Sequence, residues 1–193
     1  MRHGEITAIT FAILSGALVC MVSAEPNAKA SQSDQGWFQN GTNRVEMPNM
    51  KSSKGFGASL CLTDDTQFFD DWNKESPGVK IKEMKRATRN KPFFTVVIFV
   101  NPSTDSKKQC NVTGDITIRK PDGTVYGAMT NANFWVALPA PKPGELQLAV
   151  EYMGTVIEKK DPPGKYSVEV IVRDNIKKAE ISLSDSFVVE KDK

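Results

Sequence analysis

The chain carries one histidine, His3, and three cysteines, Cys20, Cys61 and Cys110. His3 and Cys20 fall in residues 1–24, which have the layout of a secretory signal peptide. Arg2 and His3 open it, Ile6 to Val22 is mostly apolar and uncharged, and Val22-Ser23-Ala24 supplies small residues before Glu25-Pro26. Cleavage is expected after Ala24. Two alternatives stay open. The segment can be a membrane anchor, although Thr7, Thr10, Ser15 and Gly16 interrupt a short run. It can also be a lipidation signal at Cys20, although Val19 stands where a small residue is expected. Without residues 1–24 no imidazole remains. Ser-His-Asp and Cys-His nucleophiles need one as base. His-ligated haem and the common zinc sites need one as ligand, or a cluster of cysteines. Carboxylate pairs, Ser-Lys dyads and Ca²⁺-assisted chemistry survive, and none has a motif here. No catalytic residue, cofactor or metal ligand is therefore assigned.

Cys61 and Cys110 remain after cleavage. An oxidising compartment favours a disulfide between them, although Cys61 sits on the less apolar parity of its strand; two buried free thiols are the alternative. Asp64, Asp65, Asp70 and Asp71 form an acidic group. It lacks the ligand spacing of a calcium loop, and helix capping with a solvated face explains it more simply. Lys80, Lys82, Lys85, Arg86, Arg89 and Lys91 make a basic run. It is either a stripe for an anionic partner or a lysine-protected edge strand. Tyr126, Phe134 and Trp135 either line a carbohydrate or peptide site or belong to the core. Asn40-Gly41-Thr42 and Asn111-Val112-Thr113 are glycosylation sequons.

The elements that position these groups are mostly strands. Residues 25–54 are polar and poor in aliphatics and read as a flexible arm, in which Trp37-Phe38 is an aromatic pair able to dock on a surface. From residue 55 the pattern has period two. Phe56, Ala58, Leu60 and Leu62 alternate with polar or small residues. A short helix is expected near 65–74, with Phe68, Phe69 and Trp72 packing over one open end of the domain. Phe93–Val100 reads as a strand buried on both faces. Val112, Ile116 and Ile118 alternate with Asn111, Thr113, Asp115, Thr117 and Arg119, and Pro121-Asp122-Gly123 turns the chain back through Thr124-Val125-Tyr126. Pro139, Pro141 and Pro143 suit a crossover between sheets. Leu146, Leu148, Val150 and Tyr152 alternate again. The last two strands run through Tyr166–Val172 and Ile181–Val189. Asp185 interrupts the inward row of the second and predicts a bulge at 184–186.

About seven antiparallel strands with little helix argue for a β-sandwich. Asp161…Gly164-Lys165-Tyr166-Ser167-Val168 resembles the strand corner of immunoglobulin-like and fibronectin type III-like modules of the bacterial cell envelope. That resemblance implies an immunoglobulin-like sandwich over 55–193, with Tyr166 bonded back to the turn backbone. Val168 stands where antibody domains carry a cysteine. Lys+Arg total 25 against 23 Asp+Glu, so the net charge of +2 points to no nucleic acid. The expected protein is periplasmic or secreted, is not inserted in the membrane after cleavage, and is non-enzymatic. It would bind a protein or glycan of the envelope through the basic edge or the aromatics. An inhibitor of an exported enzyme or toxin, and a carboxylate-dependent glycan hydrolase, are the alternatives.

Overall fold

The computed structural model describes residues 46–74 and 80–191, together with a two-residue backbone pairing at 38–39 and 42–43. The leader, its cleavage position at Ala24, Cys20 and Trp37 lie outside the described residues. In chain order the elements are β1 (Phe38–Gln39), β2 (Thr42–Asn43), β3 (Met50–Ser53), β4 (Phe56–Thr63), α1 (Gln67–Trp72), β5 (Arg86–Ala87), β6 (Pro92–Val100), β7 (Gln109–Arg119), β8 (Val125–Pro139), β9 (Gln147–Leu148), β10 (Met153–Val156), β11 (Gly164–Asp174) and β12 (Ala179–Val189). The body is a mainly β sandwich. One sheet runs β10-β6-β4-β3, with β9 also on β6; the other runs β5-β12-β11-β7-β8. All pairings are antiparallel except β5 with β12.

Period-two alternation builds the interior. Phe56, Leu60 and Leu62 of β4 and Val97 and Phe99 of β6 meet Val112, Ile116, Ile118, Val168, Val170 and Leu183 of the facing sheet. The sheet starts earlier than composition suggests. Polar Met50-Lys51-Ser52-Ser53 pairs with β4 as an edge strand, where no buried apolar row is needed.

Both edges of the sandwich are closed by segments that bond to each sheet in turn. On one side Leu60 N donates to Asn49 O at 2.8 Å and Ser184 N to Pro48 O at 2.8 Å. Beside them Met84 N donates to Leu62 O at 2.7 Å and Val188 N to Lys85 O at 3.0 Å. On the other side Ala149 N donates to Val97 O at 2.9 Å. The next two residues change sheet, Val150 N to Phe134 O at 3.0 Å and Glu151 N to Asn133 O at 3.2 Å. Closure leaves few strand edges to template another chain.

Three expectations need correction. Phe68, Phe69 and Trp72 do not cover an open end. They lie against Cys61, Val96 and Ile98 on the outer face of the β4–β6 sheet, which explains why β6 is apolar on both sides. Ser184-Asp185-Ser186 holds no bulge, because β12 keeps an unbroken register against β11. Asp185 is accommodated instead by Lys85, whose Nζ lies 3.1 Å from Oδ2. The irregularity sits in β8, which uses 15 residues where β7 uses 11 and takes up the excess in four register shifts. Asn131 and Ala137 reach φ of 53° and 57° in that strand.

The Cys61–Cys110 disulfide is absent, and both thiols are free and buried. Cys61 points away from the interior, beneath α1, while Cys110 is on the buried side of β7 in the other sheet, so the β4–β6 sheet lies between them. Burial pushes the Cys61 thiol up to about 12, with Glu83 and Asp185 adding to it, and the Cys110 thiol up to about 11. Thiolate is therefore scarce at neutral pH. Both cysteines should resist alkylation in the folded chain. In denaturant without reductant, peptide mapping should find both modified; recovery of a linked peptide pair would contradict the fold.

Candidate functional site

The expected aromatic site is largely structural. Phe134 is wholly buried in the core, so it presents no binding surface. A register shift turns Trp135 inward as well. Its ring meets Phe99 at 6.0 Å and its indole N–H donates to Pro139 O at 2.8 Å. Tyr126 closes a corner. Its hydroxyl lies 2.7 Å from both Asp161 Oδ2 and Val156 O, and its ring meets Tyr166 edge-on at 5.7 Å. Tyr166 stacks on Phe187 at 5.1 Å and donates its hydroxyl to Pro162 O at 2.9 Å.

The basic run is partly neutralised. Lys85 pairs with Asp185 and Glu83, and Arg86 with Glu190. Lys80 and Lys82 are exposed ahead of β5. β5 contributes only two residues, too short to template an added strand.

Carboxylates do structural work at two places. Burial raises the Asp161 carboxyl, but hydrogen bonds from the Tyr126 hydroxyl and Glu158 N outweigh it and hold the group below its usual value. Asp115 is lowered first by Arg173, at 2.7 Å, and then by Asn131 N, at 2.8 Å. A depressed folded-state pKa gives stability that is present above the unfolded value and lost as pH falls through the folded one. Thermal midpoints should therefore be level from pH 5 to 8 and fall below about pH 4. Asp161→Asn should flatten that acid limb; an unchanged limb would remove Asp161 from the cause.

A different surface brings polar groups together. A depression of about 440 Å³ on the outer face of the β7–β8 sheet is lined by Asn111, Thr113, Asn131, Asn133, Val136 and Asn175. Strand alternation puts Asn111 with Thr113, and Asn131 with Asn133, on the solvent side of neighbouring strands. The β11–β12 turn adds Asn175. Its Nδ2 donates to Asn111 Oδ1 and Thr113 Oγ1, each at 2.9 Å, and its own N bonds to Asn111 O at 2.9 Å. Asn133 Oδ1 accepts from Val136 N at 2.9 Å. These bonds fix side-chain directions. They leave the Asn111 and Asn133 NH₂ groups, the Asn131 side-chain amide, the Thr113 hydroxyl proton and the Asn175 Oδ1 without a protein partner among the described residues.

The lining holds no charged residue. At the rim Asp115 is matched by Arg173, and Glu151 Oε2 accepts Asn133 N at 2.7 Å. An array of fixed donors and acceptors with little net field suits an uncharged, hydroxyl-rich ligand. A second depression, about 230 Å³, lies beside Asp64, Thr66, Met84, Thr88, Lys91, Pro92 and Phe93. Neither depression carries a pair of carboxylates. Around α1, Asp65 Oδ1 accepts Gln67 N at 3.0 Å and Asp71 pairs with Lys74 at 2.8 Å.

No family model matches the chain. No curated protein matches it either. Among solved structures it is similar to a family 123 glycoside hydrolase from Clostridium perfringens, studied for glycolipid glycan hydrolysis, with a TM-score of 0.40 and 12% identity. The alignment covers 69% of this chain and 27% of that chain, a likeness too slight to assign an activity.

The amide cluster was visible in the sequence only as outward-facing polar residues. Asn111 and Thr113, like Asn131 and Asn133, recur at the two-residue spacing of one strand face. Their convergence depends on the β7–β8 register, which the shifts alter by four residues along the strand and which no local pattern announces. Asn175 joins them from a turn more than 40 residues away in sequence.

Proposed function

We propose that the chain is an exported, non-enzymatic binding module that takes up a neutral glycan in the amide-lined depression. The observation that supports this most directly is the set of asparagine and threonine groups that are held in place by one another yet keep donors and acceptors facing solvent. Preorganisation lowers the entropy lost on binding. An amide offers both a donor and an acceptor to adjacent hydroxyls, whereas an anionic ligand would call for cations in the lining. A peptide side chain would call for apolar pockets, and Val136 is the sole aliphatic contributor. Export rests on the leader with its uncharged, mostly apolar run from Ile6 to Val22, and the non-enzymatic role on the confinement of histidine to position 3.

Calorimetric titration with cello-, xylo-, malto- and chito-oligosaccharides of two and six residues tests the reading. At least one series should bind, and Asn133→Ala should weaken it about tenfold, the effect of one lost hydrogen-bond group of about 1.4 kcal/mol. Binding that survives Asn133→Ala and Asn175→Ala unchanged would place the site elsewhere. No binding by any series would overturn the glycan reading.

A further inference from the structure

The depression borders a second surface that the amides do not explain. The segment that closes the sandwich at this edge is hydrogen-bonded to β8 through Val150 N to Phe134 O at 3.0 Å and Glu151 N to Asn133 O at 3.2 Å. It is an irregular crossing segment beside Asn133 that leads on into β10 of the other sheet. Val150 and Tyr152 in this segment are 52% and 41% exposed, while the flanking Ala149 and Met153 pack on the core. Tyr152 is not loose. Its ring stacks on Phe69 at 4.7 Å with 28° between planes and meets Phe94 edge-on at 5.7 Å. Phe69 in turn meets Phe94 at 5.2 Å. An aromatic ring is thus held by two others on the outer side of the β4–β6 sheet while a large part of it faces solvent, one residue along the chain from Glu151, whose N–H bonds Asn133 O at the edge beside the amides.

We infer that Tyr152 and Val150 form a second subsite, so that the ligand is an oligosaccharide running from the amide depression over the sheet edge onto the Tyr152 ring. The inference rests on the reading of the depression as a glycan site. Sugar rings have an apolar face of C–H groups as well as hydroxyl edges. The amides match the edges; the tyrosine ring and valine side chain match the face. Glu151, between the two, accepts the Asn133 N–H on its carboxylate, which ties the crossing segment to the edge of β8 between the subsites. A protein partner on the apolar row is the competing occupant, and it would show no dependence on glycan length.

The test compares two-residue and six-residue members of whichever cello-, xylo-, malto- or chito-series binds, on the whole chain. The wild type should bind the hexasaccharide at least tenfold more tightly than the disaccharide. Tyr152→Ala should remove about tenfold from the hexasaccharide and leave the disaccharide unchanged, while Tyr152→Phe keeps both. Thermal melting checks that Tyr152→Ala remains folded; if it does not, Val150→Ser gives the same comparison. Equal affinity for the two lengths, or an equal loss for both in Tyr152→Ala, overturns the second subsite and leaves the depression standing. Insensitivity of both lengths to Asn175→Ala overturns the depression itself. Binding by no series overturns both.

Discussion

Gly114→Ala is expected to destabilise the chain by about 3 kcal/mol or more, beyond the usual cost of overpacking. A Cβ at this position would lie 2.2 Å from Phe134 Cε2 and 2.4 Å from Ile171 O. The ring can turn, but the carbonyl belongs to the backbone of β11 and is fixed by the β7–β11 register, in which Ile171 faces Asp115. For a chain of this size the loss corresponds to a fall of about 6–12 °C in Tm, read by circular dichroism. Phe134 O also receives the Val150 N–H. The same substitution should therefore loosen the edge between the depression and Tyr152 and raise hydrogen exchange at Val150 and Glu151. A Tm within about 2 °C of wild type would mean that the Ile171 carbonyl does not close off the space at Gly114.

Asn175→Ala should weaken glycan binding about thirtyfold while moving Tm by little. The side chain does three things at once. It orients the Asn111 amide, it holds the Thr113 hydroxyl oxygen, and it leaves its own carbonyl oxygen to the ligand. Losing groups worth about 2 kcal/mol in sum gives that factor. Stability is spared because these bonds are exposed and because the Asn175 N–H to Asn111 O bond, at 2.9 Å, is retained. Asn175→Asp is the sharper variant. It keeps size but offers no donor, so the Asn111 Oδ1 and Thr113 Oγ1 acceptors lose the bonds that orient them, any bond to the new carboxylate consumes the donors the ligand needs, and a negative charge enters a neutral lining. Titration calorimetry should show the aspartate at least as weak as the alanine. Wild-type affinity in both variants would remove the β11–β12 turn from the site.

The strands were legible because their burial alternates. Phe56, Leu60 and Leu62, or Val112, Ile116 and Ile118, declare an inward face without knowledge of any partner. The crossover at Pro139–Pro143 was also legible, since proline excludes a central strand; β8 and β9 belong to different sheets. What was lost is what depends on pairing. A register shift turns both Phe134 and Trp135 toward the core, which decided between the two readings of this aromatic pair: Phe134 is buried and Trp135 half-buried against it. Asp185 on an inward parity predicted a bulge, yet a lysine 100 residues earlier satisfies it in regular geometry. Cys61 and Cys110 were matched by export chemistry, but a sheet separates them. The basic run was read as one feature, although Arg86 and Lys85 answer carboxylates at the end of the chain while Lys80 and Lys82 face solvent. The candidate site failed to announce itself for the same reason. Asparagine on a strand is ordinary surface until the register brings three of them, and a turn a fourth, around one hollow.

The most direct measurement is a nuclear magnetic resonance titration of the asparagine side-chain amides, with the tightest-binding hexasaccharide of the four series as probe. The NH₂ signals of Asn111, Asn131 and Asn133 should shift together and saturably at the calorimetric affinity, with the Tyr152 ring signals following and the Phe134 signals unmoved. Saturable binding that leaves those three amides in place, or shifts confined to the Lys80–Arg86 segment, would contradict a glycan site in the asparagine hollow.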